Sequence, residues 1–200
     1  HVPLILDWPG VPGAQGGRVA RGKHYHLDIA ATTLELAGAQ VPSDWDGISF
    51  ADDLLQGREP SGRDHLVLSH GAWTAQRSVR FGDHLYIRTL HDGFHGLDDE
   101  MLFDVVQDPH EQTNLFSQKP QLAAEASHLL ESWRDNCLTT SGSGIDPMDT
   151  LMAEGGPWHV RGRLLGYAER LRVTGRSAWA EDLLAKHPRE AIGEIPRGGF

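Results

Sequence analysis

A short apolar strand that runs straight into a fixed sequence of turn residues constrains this chain more than any single side chain. Met101 to Val106 carries the strand pattern, Asp108-Pro109 opens a turn, and Asn114-Leu115 delivers the backbone to a helix begun by Pro120. In that helix Leu122, Ala126, Leu129, Leu130, Trp133 and Cys137 recur at helical spacing, which makes an apolar stripe suited to lie across an antiparallel sheet. The sheet can be read upstream. His65 to Ser69 predicts one strand, and Arg77 to Arg80 with His84 to Leu90 predicts a hairpin pivoting on Gly82-Asp83. In its second arm Leu85, Ile87 and Thr89 should face one way and Tyr86 and Arg88 the other. A sheet with one covering helix is an α+β layer pair.

The flanks are less regular. Val2 to Trp8 predicts a short buried strand ended by Pro9-Gly10 and Pro12-Gly13. Asp28 stands where an N-cap would, ahead of Ile29, Thr33, Leu36 and Ala37, with Gly38 as the residue past the helix end and Pro42 beyond. Asp46-Gly47 marks a turn before a short helical segment carrying Phe50, Leu54 and Leu55. Thr139 to Gly144 has linker composition. Two further helices are expected: Val160 to Val173, with Leu164, Leu165, Ala168 and Leu171 inward, and Ala178 to Lys186. Gly155-Gly156-Pro157 should initiate the first of them and leave Trp158 packed on the body, while Ile192 to Phe200 is expected to be a loose tail. The expected division is therefore 1–60, 61–138 and 139–200.

Charge and composition exclude several classes of function. With 28 acidic against 18 basic residues the net charge is −10, a field that repels polyanions, so nucleic acid is not an expected partner. No run of 18 apolar residues is present, so no membrane partner is expected, and the compartment, bacterial cytoplasm or exported, stays open. A single cysteine, Cys137, rules out an internal disulfide and zinc-finger spacing. The chain begins at His1 inside an apparent strand, which is simplest to read as a piece of a longer polypeptide whose unpaired strand edge would favour a homo-oligomer.

Several ordered motifs resemble the C-terminal part of the sulfatases, members of the alkaline phosphatase superfamily. They are Val2-Pro3-Leu4-Ile5 with Trp8-Pro9-Gly10, His26-Leu27-Asp28-Ile29-Ala30 to Leu36-Ala37-Gly38, and Asp46-Gly47-Ile48-Ser49-Phe50. Arg77-Ser78-Val79-Arg80 with Tyr86-Ile87 and the acidic turn at Asp108-Pro109 complete the set across about 135 residues. The resemblance implies the end of an α/β sulfatase sheet, then a small antiparallel sheet packed on a long helix, then a helical tail. It also implies a parent that hydrolyses a sulfate ester of a small molecule or glycan. That parent would use formylglycine made from a Cys-x-(Pro/Ser/Ala)-x-Arg motif, with calcium or magnesium polarising the sulfate.

Those parts are absent from this sequence. Cys137 is followed by Leu138, Thr139, Thr140 and Ser141, so it does not fit the motif. Asp135-Asn136 resembles the family's cation-binding pair in type but ends a helix where the family's ends a strand. No catalytic residue and no metal ligand is therefore nominated, no cofactor is expected within these residues, and the missing N-terminal sulfatase domain is the implied partner. Superfamily relatives that cleave phosphodiesters or phosphonate monoesters share parts of the pattern, and a stand-alone binding module is a further alternative. Twelve histidines, among them His24-Tyr25-His26 and His91-x-x-x-His95, raise transition-metal ligation as a third reading, against that of ordinary surface histidine. Loops of the C-terminal sheet lean over the cleft in resembling enzymes. His70, Trp73, His91 and His95 are accordingly the candidates for a substrate rim.

Overall fold

A computed structural model describes residues 4–193, and the chain divides into two units, His1–Leu66 and Val67–Phe200. The first unit is organised by one buried carboxylate. Helix α1 (His26–Leu36) is capped at Tyr25, so Asp28 is its third residue and not the N-cap that the sequence suggests. From there Asp28, 1% exposed, reaches back to accept the Tyr25 N–H at 2.8 Å and forward to accept the Ile48 N–H at 2.7 Å. Arg63 meets both of its oxygens at 3.0 and 2.5 Å. Burial would raise the Asp28 pKa, but Arg63 and the two backbone donors outweigh it and hold the group below the usual carboxylate range. Thr32 accepts the Phe50 N–H at 3.0 Å, which carries the chain into α2 (Ala51–Leu55). Gly47 is needed because a Cβ there would lie 2.3 Å from the Leu27 carbonyl oxygen, and Gly38 ends α1 at φ +80 as expected.

The expected strand at Val2 to Trp8 does not form within the described residues, which begin at Leu4. Leu4 and Ile5 are 51% and 91% exposed, while Leu6 and Trp8 lean on the small cluster of Val11, Ala14, Phe50 and Leu54. A strand requires a neighbour for its N–H and C=O groups, and residues 4–66 supply no ladder for these.

The second unit follows the predicted layers. Strands β1 (His65–His70), β2 (Ala75–Phe81), β3 (His84–His91) and β4 (Glu100–Asp104) form one sheet in chain order, with β2–β3 and β3–β4 antiparallel. Helix α3 (Pro120–Thr140) buries Ala123, Ala126 and Leu130 against Val67, Val79, Phe81, Tyr86 and Leu102, each large side chain contributing roughly 1.5–3 kcal/mol. Tyr86 and Arg88 share the helix-facing side, where Arg88 bonds Ser127 and Glu131 of α3. Asn114 explains the turn grammar after β4. Its side chain accepts the N–H groups of Leu102 and Phe116, each at 3.0 Å, and donates to the Glu100 carbonyl, so it mimics a strand partner on the open edge of β4.

Beyond α3, after the Thr139 to Gly144 stretch, a helix appears besides the two that were expected. Asp146 caps α4 (Pro147–Ala153) by accepting the Met148 N–H at 2.9 Å, and Pro147 takes the first helical position. Helices α5 (Leu164–Val173), α6 (Ser177–Lys186) and the short α7 (Pro188–Ala191) follow. Leu164 and Ala168 are buried as expected, but Leu165 is 62% exposed because it lies one residue off the 164/168/171 face. Trp158, expected to pack on the body, is 61% exposed, with the Arg161 guanidinium 5.6 Å from its ring centre. Ile192 and Gly193 end the described residues, so the rest of the expected tail lies outside them. Among the described residues no helix is long and apolar enough to cross a membrane.

Asp146 also ties α4 to the sheet. Arg77 of β2, on the helix-facing side of its strand, meets its two oxygens at 2.6 and 2.5 Å, and Arg134 of α3 adds a bond at 2.8 Å. The Arg77 bonds are the main reason the carboxyl lies far below its ordinary range, with burial opposing. Asp146→Ala removes a helix cap and strands Arg77 in the interior, so it should cost about 3–4 kcal/mol in urea denaturation near neutral pH. Because the folded pKa is depressed, this contribution is present above the unfolded value near pH 4 and lost as pH falls further. The stability curves of wild type and variant should accordingly converge in acid.

Candidate functional site

Strand register decides where the candidate residues meet. Ala75 pairs with His91 across a β-bulge at Ala75/Gln76, which sets the approach to β2, Trp73-Thr74, beside the exit from β3, Asp92-Gly93. Backbone is packed so closely there that a Cβ on Gly93 would come within 2.0 Å of the Trp73 carbonyl oxygen. Asp92, 1% exposed, folds the exit into a tight loop by accepting the Phe94 and Gly96 N–H groups at 3.0 and 2.9 Å. Gly93, Phe94 and Gly96 all have positive φ. For Phe94 that is a conformation costing on the order of 1 kcal/mol, compensated by its ring packing on His91, His187 and Tyr167. Phe94 is thereby drawn inward and His95 is left exposed.

The candidates fall into two groups. Trp73, 64% exposed, meets the ring of His159 edge-on at 5.1 Å, and His95 approaches the same imidazole at 6.4 Å. These three rings make a cluster in which His159 is half-buried, with its Nδ1 enclosed and without a hydrogen-bond partner, and the sequence gives it only in part, because Gly155-Gly156-Pro157 marks a turn and nothing local singles out His159. His70 is exposed and tied by Nδ1 to the Thr74 hydroxyl at 3.0 Å. His91 is different: at 4% exposure it is not the surface histidine expected of a rim, because Gly156, Phe94 and His187 pack on its ring.

His91 instead joins a buried network with Asp92, His187 and Glu190. Three of these, His91, Asp92 and His187, offer ligand atoms within 4.8 Å of one another, which satisfies the distance requirement for a cation. Their protons are arranged otherwise. His91 Nδ1 accepts the Gly93 N–H at 3.0 Å, so its proton is on Nε2, which donates to Glu190 Oε1 at 2.9 Å. A metal on Nε2 would force that proton onto Nδ1, against the Gly93 N–H. His187 donates from Nε2 to Asp92 at 2.9 Å and lies with Nδ1 3.2 Å from Glu190, the pattern of an imidazolium held between two carboxylates. Lys186 lies beside them, 3.9 Å from Asp92, and bonds the Leu97 carbonyl. The network is a clasp between the β3 exit and the α6–α7 segment.

Burial alone would lower the His187 pKa, but the hydrogen bonds that its N–H groups donate to Asp92 and Glu190 outweigh it and raise the group from 6.5 to about 9. The Asp92 and Glu190 carboxyls move down for the reciprocal reason, against the opposing effect of burial. Glu190 Oε2 is left buried without a hydrogen-bond partner. A raised folded pKa contributes stability in full below the unfolded value of 6.5 and loses it as pH rises through about 9. Urea denaturation should therefore show the second unit losing about 2–3 kcal/mol between pH 6 and pH 10, and His187→Gln should flatten that decline.

The family of N-sulphoglucosamine sulphohydrolase C-terminal domains matches residues 1–135. An N-acetylglucosamine-6-O-sulfatase of Bacteroides thetaiotaomicron is 26% identical over 161 residues, a stretch covering 78% of this chain and 28% of the relative. Among solved structures, a 2-O GAG sulfatase is 24% identical with a TM-score of 0.48, covering 60% of this chain and 26% of its own. A protein solved with its substrate D-glucosamine-2-N,6-O-disulfate is 23% identical with a TM-score of 0.47, covering 57% and 24%. The chain thus spans about a quarter of the length of these relatives. Matched over two thirds of its residues, and in the part that holds the sheet, the Asn114 turn and most of α3, the chain belongs to the N-sulphoglucosamine sulphohydrolase C-terminal family of sulfatase domains.

Proposed function

We propose that this chain is the C-terminal portion of a sulfuric ester hydrolase acting on a sulfated sugar. On this reading residues 1–60 complete the large α/β domain, residues 61–138 are the C-terminal antiparallel sheet with its covering helix, and Trp73, His95 and His70 line the substrate rim. The observation that carries the reading is the family match over residues 1–135, supported by relatives that include an N-acetylglucosamine-6-O-sulfatase. The reactive aldehyde and the calcium or magnesium ion belong to polypeptide outside these residues.

The residues present do not fit either group. Cys137 lies on α3, a helix packed on the sheet, without the motif that would convert it. The clasp presents imidazole nitrogens whose protons are committed, whereas calcium and magnesium require converging oxygens. These 200 residues therefore supply shape and binding surface, and the chemical step is not theirs.

The longer polypeptide that includes this chain should release sulfate from 6-O-sulfated N-acetylglucosamine, measured by ion chromatography, and the 200 residues alone should release none. Faster hydrolysis of a phosphodiester or phosphonate monoester by the longer polypeptide would favour the superfamily alternatives, and turnover by the isolated chain would overturn the division of labour.

A further inference from the structure

The match to the sulfatase family ends at residue 135, yet three segments after it supply partners to residues at one end of the sheet. Asp146 meets Arg77 of β2. His159 packs on Trp73. His187 and Glu190 hold Asp92 and His91, the residues from which the Phe94–Gly96 loop is hung. Gly156 is fitted against the ring of His91, where a Cβ would lie 2.5 Å from Cδ2. Contacts from three successive segments on one end of a sheet are more than the packing of an α-helical tail requires, and beside them lies an exposed indole with the His159 imidazole at its edge and His95 next to that imidazole.

We propose that the segment from Ser141 to Gly193 is a specificity element, in which His159 joins Trp73 and His95 to form a subsite for one sugar ring of a glycan, while His187 and Glu190 are positioning residues for it. The inference rests on the sulfatase reading and extends it from a sulfated sugar in general to a chain of sugars. A pyranose has an apolar C–H face and a rim of hydroxyl oxygens, so it can cover an indole face while its oxygens accept from imidazole N–H groups. Trp73 has a large exposed face for this, and its backbone is fixed by the Gly93 contact. A small aryl sulfate offers no second ring to such a subsite, which separates the two kinds of substrate.

The test uses the intact enzyme that carries this chain, with a sulfated glucosamine tetrasaccharide as substrate. His187→Ala should raise KM about ten-fold with kcat retained, and His187→Lys, which keeps a cation against Asp92, should recover most of that loss. An unchanged KM, a fall in kcat alone, or a Lys variant no better than Ala would overturn the positioning role. Should His187→Ala fail to fold, Trp73→Ala at the exposed indole and His159→Ala at the half-buried imidazole decide: each should weaken tetrasaccharide binding about ten-fold by calorimetry, and undiminished binding would overturn the subsite. If the wild-type enzyme releases no sulfate from any substrate, the sulfatase reading fails on its own. Calorimetry then still judges the subsite, which stands if the tetrasaccharide binds and Trp73→Ala abolishes binding, and falls if the wild type does not bind it.

Discussion

A carboxylate taken out of water has to be met by donors on every side, and that condition, imposed at Asp28, Asp92 and Asp146, shapes the parts of this protein that are neither sheet nor long helix. Each of the three is at most 5% exposed, and each is met both by a cationic side chain and by backbone N–H, two groups at Asp28 and Asp92 and one at Asp146. The cation sets how distant chain segments meet. The N–H groups set how the local backbone turns. Breaking either half would leave a buried charge uncompensated, which is more costly than the net gain from making the pair. The aspartates are therefore best understood as constraints on geometry more than as sources of stability.

What could be read in the sequence follows from the range over which each signal acts. The stripe of α3, the Gly82-Asp83 hairpin and the turn grammar from Asp108 to Asn114 are local patterns whose meaning is fixed within a few residues, and all of them appear in the structure. Helix α4 was legible in principle, since Asp146-Pro147 places a capping residue ahead of a proline at the first helical position. Its shortness leaves it without the apolar repeat that marks the longer helices, so the sequence reading assigns no element there. Asp28 shows the limit of a cap signal: an aspartate at the first position and one at the third have the same local composition, and only the reach to Ile48 and Arg63 distinguishes them.

The candidate site was legible only in its exposed half. Trp73 and His95 could be nominated because a strand end with glycine and aromatics marks a pocket mouth. The neighbour that joins them, His159, is 64 residues beyond His95, and the partners of His91 and Asp92 are 99 and 95 residues away. No periodicity or motif connects residues so far apart. Local composition could not show that His91 is interior either, because the bulge at Ala75/Gln76 and the close approach of Gly156 decide its burial.

Proton positions decide what the buried cluster is for. Distances alone would allow a cation among His91, Asp92 and His187, but a histidine whose Nδ1 already accepts a backbone N–H has no lone pair left on Nε2 while it is neutral. The same bonds that exclude the metal make the clasp self-sufficient, with a cationic His187 between carboxylates whose pKa values are pushed down. With the acid groups shifted down and the base shifted up, the clasp stays closed across the neutral range and is not a switch there. The loop carrying His95 is consequently ordered by folding. On the proposed substrate-rim reading, a surface set in this way would meet a ligand with the ordering entropy already spent, the condition under which a few exposed rings can discriminate between ligands.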